Sequence, residues 1–221
     1  MRAHATVLDM AVDEAAPQDP VIEQPGTAEV RWILPGRLDT SLMRWFGRFP
    51  AGMDSSEDAY LIDPLLRGLS VKIRAGRLFE AKLSHGSPGI LDTAGRARGR
   101  IETWRTWSFP IGLLDPDEAG PPGWTVVHKR RWRVRFEQVS GRLMVPVLEQ
   151  GAESVCAVDL TEVRSGRETW WSLGFQASGP AALLCSTLQG TAALMFAETP
   201  PGDVEFDMSH CQSYGEWLSR R

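Results

Sequence analysis

The stretch Gly68-Leu69-Ser70-Val71-Lys72-Ile73-Arg74-Ala75-Gly76-Arg77-Leu78-Phe79-Glu80-Ala81-Lys82-Leu83 decides the fold of this chain. Charged and apolar residues alternate on both sides of Ala75-Gly76, a pair suited to a tight turn, and this pattern predicts a β-hairpin. Side chains along a strand point alternately to opposite faces, so Lys72 shares a face with Arg74. In the same way Glu80 shares a face with Lys82. The predicted hairpin therefore has one charged face and one apolar face.

The same alternation recurs along the chain. Lys129, Arg131 and Arg133 share one face of a strand-like run whose other face is apolar. The further strand-like segments are 29–34, 59–62, 100–109, 124–137, 155–163 and 170–177. Strands joined by short turns, without alternating helices, predict an antiparallel sheet or barrel.

Two helices complete the predicted fold. Asp39 or Thr40 is suited to cap a short helix that runs to Phe46, and Pro180 opens a longer helix over 181–196. The predicted class is therefore α+β, mainly β.

The charged strand faces have two interpretations. In an open sheet they form solvated exterior, whereas in a closed barrel they line an interior suited to an anionic ligand. For the run that starts at Lys129, alternation alone leaves the two interpretations equal, and the recurrence in the hairpin favours the interior. The tryptophans of the strands are interpreted mainly as core residues, in preference to a stacking platform for bases.

The bulk composition excludes several classes of protein. The chain has 221 residues and a formal net charge of -4, which argues against nucleic acid as its main partner. Its three cysteines show no CxxC spacing and its four histidines no HxxxH spacing. This pattern disfavours soft-metal sites and indicates a reducing, cytoplasmic location. No apolar run reaches membrane-spanning length, so we expect neither a transmembrane helix nor a signal peptide.

The chain divides into a leader and one domain. Residues 1–28 hold three prolines, several acids and no sustained periodicity, and are predicted to form a disordered acidic leader. Residues 29–221 are predicted to form a single barrel domain.

The carboxylates of the strand-like segments also have two interpretations. They are Glu29, Glu80, Glu102, Asp159 and Glu162. If several face one interior, their oxygens are suited to Mg²⁺ or Mn²⁺. Pairwise salt bridges between neighbouring strands are the alternative, and are favoured for any single carboxylate. The motifs GxxxxGK[ST], GxGxxG and GxSxG do not occur, so the common nucleotide folds and nucleophile chemistries have no support.

Taken in order, these segments resemble the CYTH superfamily, the triphosphate tunnel metalloenzymes. The segment Glu29-Val30-Arg31-Trp32-Ile33 is similar to the opening ExExK strand of that family, and Tyr60-Leu61-Ile62-Asp63-Pro64 is similar to its YxDxP strand. The alternating charges of 68–82, Glu102, the basic run from Lys129 and Val158-Asp159-Leu160 continue the family order. The resemblance covers about 29–177.

The resemblance implies a closed antiparallel eight-stranded barrel with flanking helices. Its tunnel would bind and hydrolyse a triphosphate or another phosphate chain with Mg²⁺ or Mn²⁺. The implied substrate-binding residues are Arg31, Lys72, Arg74, Lys82, Lys129, Arg131 and Arg133. The implied metal ligands are Glu29, Glu80, Glu102 and Asp159. The implied catalytic residues are Glu29, Lys72, Arg74, Glu80 and Lys82.

The chain departs from the family pattern at two places. Arg31 and Ile33 stand where the second Glu and the Lys of ExExK are expected, and the segment 170–176 lacks alternating acids. These departures leave open a non-catalytic module that binds polyphosphate or nucleotides without metal. A third interpretation is a Trp-rich interaction scaffold with a polar exterior.

Overall fold

The computed structural model describes residues 22–66, 68–111, 123–139, 142–144 and 153–221. The strands are β1 (Ile22–Pro35), β2 (Gly52–Leu61), β3 (Leu69–Arg74), β4 (Leu78–Ser84), β5 (Gly89–Asp92), β6 (Arg98–Pro110), β7 (Trp124–Val139), β8 (Arg142–Met144), β9 (Ser154–Ser165) and β10 (Glu168–Ser178). The helices are α1 (Thr40–Phe46), α2 (Ala181–Met195) and α3 (Tyr214–Ser219).

Eight of these strands form a closed antiparallel barrel. Their order is β1-β10-β9-β7-β2-β3-β4-β6, and β1 closes the ring because it pairs with β10 on one side and with β6 on the other. The two other strands lie beside the ring, β5 against β6 and β8 against β7. The predicted eight-stranded barrel with flanking helices, an α+β fold that is mainly β, is confirmed.

The hairpin of β3 and β4 has the predicted turn. Ala75 and Gly76 have φ angles of 49° and 64°. Positive φ at both central residues is typical of a type I′ turn, whose twist matches that of the paired strands. The turn sets the register in which Lys72 lies opposite Glu80.

The strand β1 begins at Ile22, earlier than the sequence predicts. Its register with β6 shifts at an irregularity that contains Pro25 and Gly26. Such residues interrupt a ladder, but a bulge allows the strand to continue past them. The prediction that 22–28 belong to a disordered leader is therefore wrong, and 1–21 lie outside the described residues.

The outer face of the wall formed by β1, β10 and β9 is apolar and lies beneath α1 and α2. Trp32 of β1, Leu160 of β9 and Phe175 of β10 are fully buried in this layer. Leu188 of α2 joins them, and Phe196 packs against both Trp32 and Phe175. Because the helices cover the apolar face, the polar side chains of the same strands point into the barrel. The longest helix has 15 residues, and none in the described ranges has the length and apolar character needed to cross a bilayer.

The helix α3 lies across one end of the barrel. Its Trp217 and Leu218 are buried together with Ile33, Val127 and Val163, which point inward from β1, β7 and β9. We call these five side chains the plug. They occupy the β1, β9 and β7 side of the end where β2 finishes, and a second cavity of about 460 Å³ lies at this end between α3 and the strands β3, β4 and β6.

Candidate functional site

A cavity of about 310 Å³ occupies the barrel interior beyond the plug. The basic side chains that line it are Arg31, Lys72, Arg74, Lys82, Lys129, Arg131 and Arg133. The acidic side chains that line it are Glu29, Asp58, Glu80, Glu102 and Asp159. Among the described residues, seven cations thus face five carboxylates, an excess of two positive charges although the whole chain has a net charge of -4.

Every residue that the sequence predicts for the site lies on this cavity. Strand alternation brings them together: Lys72 and Arg74 are the inward residues of β3, and Lys129, Arg131 and Arg133 are those of β7. The interpretation of the charged faces as solvated exterior is wrong for these residues. Their roles in binding or catalysis stay predictions.

Lys72 lies between two carboxylates from neighbouring strands. Its Nζ is 2.7 Å from Oε2 of Glu80 and 3.6 Å from Oδ2 of Asp58. Glu80 also lies 3.6 Å from Nη1 of Arg74. An ammonium group has three donors and a guanidinium five, so these pairs fix the direction of the cations and leave donors for a ligand.

Asp159 of β9 holds Arg133 by both oxygens. Nε of Arg133 donates to Oδ1 at 2.6 Å and Nη2 donates to Oδ2 at 2.7 Å, while Nη1 of Arg131 lies 3.7 Å from Oδ2. Hydrogen bonds to Asp159 are the largest cause of a raised pKa for Arg133. Such two-point pairing fixes the plane of the guanidinium as well as its position.

Glu29 accepts three hydrogen bonds on one oxygen. Lys82 Nζ donates to Oε1 at 2.5 Å, and Gln176 Nε2 and Thr27 Oγ1 each donate to the same atom at 2.9 Å. Burial alone would raise the pKa of Glu29, but the charge and hydrogen bond of Lys82 outweigh it and lower the pKa below its ordinary value. Burial lowers the pKa of Lys82. Glu29 is therefore an ionised partner of a lysine at neutral pH.

Lys129 lies at the inner end of the charged zone. Its Nζ donates to Asp58 Oδ2 at 2.8 Å and to the Tyr60 hydroxyl at 2.5 Å, and lies 4.1 Å from the ring centroid of Tyr214. Burial raises the pKa of Tyr60 to about 12. Burial also opposes the ionisation of Asp58, but Lys129 and Lys72 outweigh it and lower the pKa of this carboxyl.

Arg31 is the lumen cation without an acidic partner: within the described ranges, no carboxylate oxygen lies within 4.0 Å of its guanidinium. Nη1 is 3.5 Å from Ser172 Oγ, and Cζ is 4.8 Å from the ring centroid of Tyr214. A Cβ on residue 174 would lie 2.6 Å from Nη1, so Gly174 provides the space for the guanidinium. Arg31 therefore keeps most of its donors free in the lumen.

Side-chain exposure falls steadily along the inward residues of β7. It is 38% for Arg133, 14% for Arg131 and 6% for Lys129, and Val127 in the plug is fully buried. Arg74, where β3 finishes, is 41% exposed. We call the end of the barrel at Arg74 and Arg133 the open end.

Arg100 connects Glu102 of the cavity wall to α3. Its Nη2 is 2.9 Å from Glu102 Oε1 and 3.0 Å from Glu216 Oε1. Burial and the charge of Glu216 raise the pKa of Glu102 above its ordinary value, and Arg100 offsets this only in part. Glu216 also forms a capping box with Ser213 at the start of α3. Charged contacts therefore hold the helix in place in addition to the plug.

The predicted metal ligands are each engaged by a base. The nearest basic partners of Glu29, Glu80, Glu102 and Asp159 are Lys82, Lys72, Arg100 and Arg133. Among the described residues, no three acidic, histidine or cysteine side chains lie close enough together to hold an ion. Oδ1 of Asp58 is buried without a hydrogen-bond partner in the same ranges, but Mg²⁺ requires about six oxygen ligands. In this arrangement the donor set does not fit Mg²⁺ or Mn²⁺.

Other side chains line the cavity although they were not predicted as site residues. They include Asp58, Tyr60, Trp104, Gln176 and Tyr214. The prediction starts β2 at residue 59 because the polar run 54–58 lacks the apolar residues that mark a strand, although the alternation counted back from Tyr60 reaches Asp58. Tyr214 belongs to a helix of six residues, and the capping-box spacing of Ser213 and Glu216 is the sequence signal that could have predicted it.

No family model matches this chain, and no curated protein matches it. Among solved structures it is similar to the PH1819 protein of Pyrococcus horikoshii OT3, with 15% identity, a TM-score of 0.42, and 87% of this chain and 99% of that chain covered. It is also similar to the Pct1 RNA triphosphatase of S. pombe in complex with the Spt5 CTD, with 10% identity, a TM-score of 0.38, and 82% and 80% covered. At these values neither likeness assigns a function to this chain.

Proposed function

We propose that the barrel lumen binds a phosphate chain through its basic side chains. The observation that carries this proposal is the excess of cations on a cavity that the barrel wall and the plug shield from solvent. Charges in such a cavity are screened less than charges on an open surface, so they attract an anion more strongly. Arginine binds phosphate oxygens as a two-pronged donor, and lysine acts beside it as a point charge.

Arg31 is the principal anchor in this proposal. Its guanidinium donates to no carboxylate in the described ranges. A phosphate can therefore accept hydrogen bonds from Arg31 without breaking an ion pair. The other cations are already oriented by Glu80 and Asp159, which reduces the reorganisation that binding requires. The cavity of about 310 Å³ is near the lower limit of small-ligand sites, roughly 300–1,000 Å³. A short segment of chain therefore fits.

Calorimetric titration of the full chain with linear triphosphate in the presence of EDTA tests the proposal. We expect saturable binding that raises the melting temperature, with sulfate at the same ionic strength as the control anion. The Lys72→Ala/Arg74→Ala double variant should bind more weakly. If triphosphate, longer polyphosphate and ATP all fail to bind or stabilise the folded protein, the proposal is overturned and the Trp-rich scaffold is favoured.

Hydrolysis stays a prediction of the family resemblance. The test is to incubate the protein with inorganic triphosphate, ATP and thiamine triphosphate, each with Mg²⁺ or Mn²⁺, and to measure the phosphate released. Release from any of them identifies a hydrolase. Binding without release from all three identifies a module that binds the chain and does not cleave it.

A further inference from the structure

We infer that the second cavity, which lies between α3 and the strands β3, β4 and β6, binds an organic group without negative charge that is attached to the phosphate chain. The inference rests on the proposed function, because the phosphates of the same ligand occupy the lumen. The preferred ligand is therefore an organic ester of a phosphate chain, and an inorganic chain fills only the lumen.

The second cavity is the neighbour of the lumen along the barrel. Side chains of a strand alternate between its faces, so Ser70 follows Lys72 on the inner face of β3, and Ser84 follows Lys82 on the inner face of β4. The two lysines line the lumen, Ser84 lines the second cavity, and Ser70 lines both. Trp104 of β6 also lines both cavities. The same inner face of each strand thus passes from one cavity to the other.

The basic lining ends where the second cavity begins. Beyond Lys72 and Lys82, the inward residues of β3 and β4 are serines. Among the described residues, the charged side chains that line the second cavity are two acids, Asp63 and Glu216, and one base, Arg220. A phosphate placed there would leave the excess of cations in the lumen for an excess of acids. The phosphates therefore stay in the lumen, and the second cavity takes a part of the ligand that has no negative charge.

The lining of the second cavity suits an organic group. Trp104 and Ile62 supply apolar surface, and Ile62 also packs against the plug. Ser70, Ser84 and Ser213 supply hydroxyl groups, each of which can both donate and accept a hydrogen bond. Sites for small organic molecules combine apolar and aromatic surface with a few polar groups in this way. The volume of about 460 Å³ also lies within the usual range of such sites, roughly 300–1,000 Å³.

Trp104 stands at the boundary between the two parts of this ligand. Nζ of Lys82 lies 5.1 Å from the centroid of its ring, on the lumen side. A phosphate held by Lys82 is therefore close to the indole, and the group bonded to that phosphate reaches the second cavity next. Aromatic side chains pack favourably against other planar rings, so Trp104 favours an organic group that contains a ring.

The arrangement gives the bound ligand a direction. The second cavity reaches the surface at Ser219 and Arg220, which line it and are exposed. A ligand that enters here leads with its phosphates, and its organic group follows. The free end of the phosphate chain then points towards Arg74 and Arg133 at the open end.

Calorimetric titration with ATP and with linear triphosphate, both in EDTA, tests the inference. The two ligands have the same number of phosphates, and only ATP carries an organic group. We expect ATP to bind at least about tenfold more tightly, because its organic group gains the contacts of the second cavity. Equal or weaker binding of ATP overturns the inference and leaves the proposed function intact. Failure of both ligands contradicts the proposed function and the inference with it.

A matched pair of variants locates the preference for ATP. Ser84→Phe fills part of the second cavity from β4, and this variant should bind ATP no more tightly than triphosphate. Leu83→Phe is the control, because this neighbouring side chain lies on the outer face of the same strand and is 39% exposed. The control should keep the preference of the wild type. A folded Ser84→Phe variant that also keeps it means that the organic group binds elsewhere, which contradicts the inference.

Photocrosslinking locates the organic group in the wild-type protein, so it does not depend on the folding of a variant. An azido-adenine analogue of ATP is bound in EDTA and irradiated, and the modified peptides are identified by mass spectrometry. We expect adducts at residues that line the second cavity, such as Ser70, Ser84 and Trp104. Adducts confined to the surroundings of Arg74 and Arg133 would place the organic group at the open end and overturn the inference.

Discussion

The guanidinium of Arg31 occupies the space that a side chain at residue 174 would fill. The two residues are direct partners in the pairing of β1 with β10, and a Cβ on Gly174 would lie 2.6 Å from Nη1 and 2.7 Å from Cζ of Arg31. The backbone of Gly174 does not have a positive φ, so the glycine is needed for space and not for conformation. A cation that has no carboxylate partner among the described residues and a glycine that accommodates it thus form one unit.

Replacing Arg31 by Met should weaken phosphate binding without removing the fold. Hydrogen bonds to charged groups contribute about 1.5–3 kcal/mol each, so the dissociation constant for triphosphate should rise roughly tenfold to hundredfold. Isothermal titration calorimetry gives the affinity, and urea unfolding gives the stability. An unchanged affinity in a folded variant would show that Arg31 is not the anchor.

Gly174→Ala should act on Arg31 indirectly. The new methyl group displaces the guanidinium, and overpacking of this kind costs typically about 1–3 kcal/mol of stability. We expect weaker triphosphate binding and a lower melting temperature. The same change in the Arg31→Met background should cost less stability, since the group that collides is gone. Equal costs in both backgrounds would contradict the proposed contact.

The pair of Glu29 and Lys82 should make stability depend on acid pH. The pKa of Glu29 is lowered in the folded protein from an ordinary value of 4.5, so its contribution is complete above pH 4.5 and is lost as the pH falls through the folded pKa. Glu29→Gln should therefore cost about 1–3 kcal/mol at pH 7 and progressively less as the pH falls below 4.5.

Urea unfolding of the wild type and of Glu29→Gln across this pH range measures the difference. Glu57→Gln is the control, because this carboxylate lies on the exterior beside His128. A gap between wild type and Glu29→Gln that is constant from pH 7 to pH 3 would contradict the ion pair.

Ile33→Lys tests the plug. The family pattern has a lysine at this place, but here an ammonium group would be buried against Trp217 and Leu218. Burial of an unpaired charge should destabilise the protein by several kcal/mol or displace α3. Ile33→Val is the conservative control and should cost about 0.5–1.5 kcal/mol. If chemical unfolding gives the two variants equal stability, α3 does not lie over Ile33.

The hydroxyl of Tyr60 should ionise only in strong alkali. Its pKa is raised to about 12, chiefly by burial, and the chain contains only two tyrosines. Titration of the tyrosinate absorbance, compared with that of Tyr60→Phe, isolates its contribution. A Tyr60 component that titrates near pH 10 in the folded protein would contradict its burial beside Lys129 and Asp58.

The charged wall of the site is predictable from local sequence because alternation is a local property. Lys72 and Arg74 fall on one face of β3 wherever that strand lies, and the turn at Ala75 and Gly76 fixes their partners. Whether this face points inward depends on the pairing of β1 with β6, which closes the barrel. No short segment of sequence determines that pairing. The family resemblance supplied that part of the prediction.

The plug and the identity of the ion-pair partners were not predicted, for a different reason. In the sequence, Ile33 stands where the ExExK pattern has a lysine. Only its contact with Trp217 shows that the position belongs to an apolar layer. The family resemblance implied that the acids are metal ligands, whereas strand pairing favoured a salt bridge for any single one of them. Their engagement with bases such as Lys82 and Arg133 depends on distances between strands that are remote in sequence.

The closure of the ring by β1 also sets the order in which the molecule can be made. Glu29 of β1 pairs with Glu102 of β6 on one side and with Gln176 of β10 on the other. The strand β1 therefore cannot complete its pairing until β6 and β10, which are synthesised later, are available. Such a topology has a high contact order and folds slowly. Until β10 and α3 have been synthesised, the guanidinium of Arg31 cannot pack beside Gly174. Under the proposed function, a nascent chain therefore cannot bind a phosphate chain through Arg31 until translation has passed Gly174.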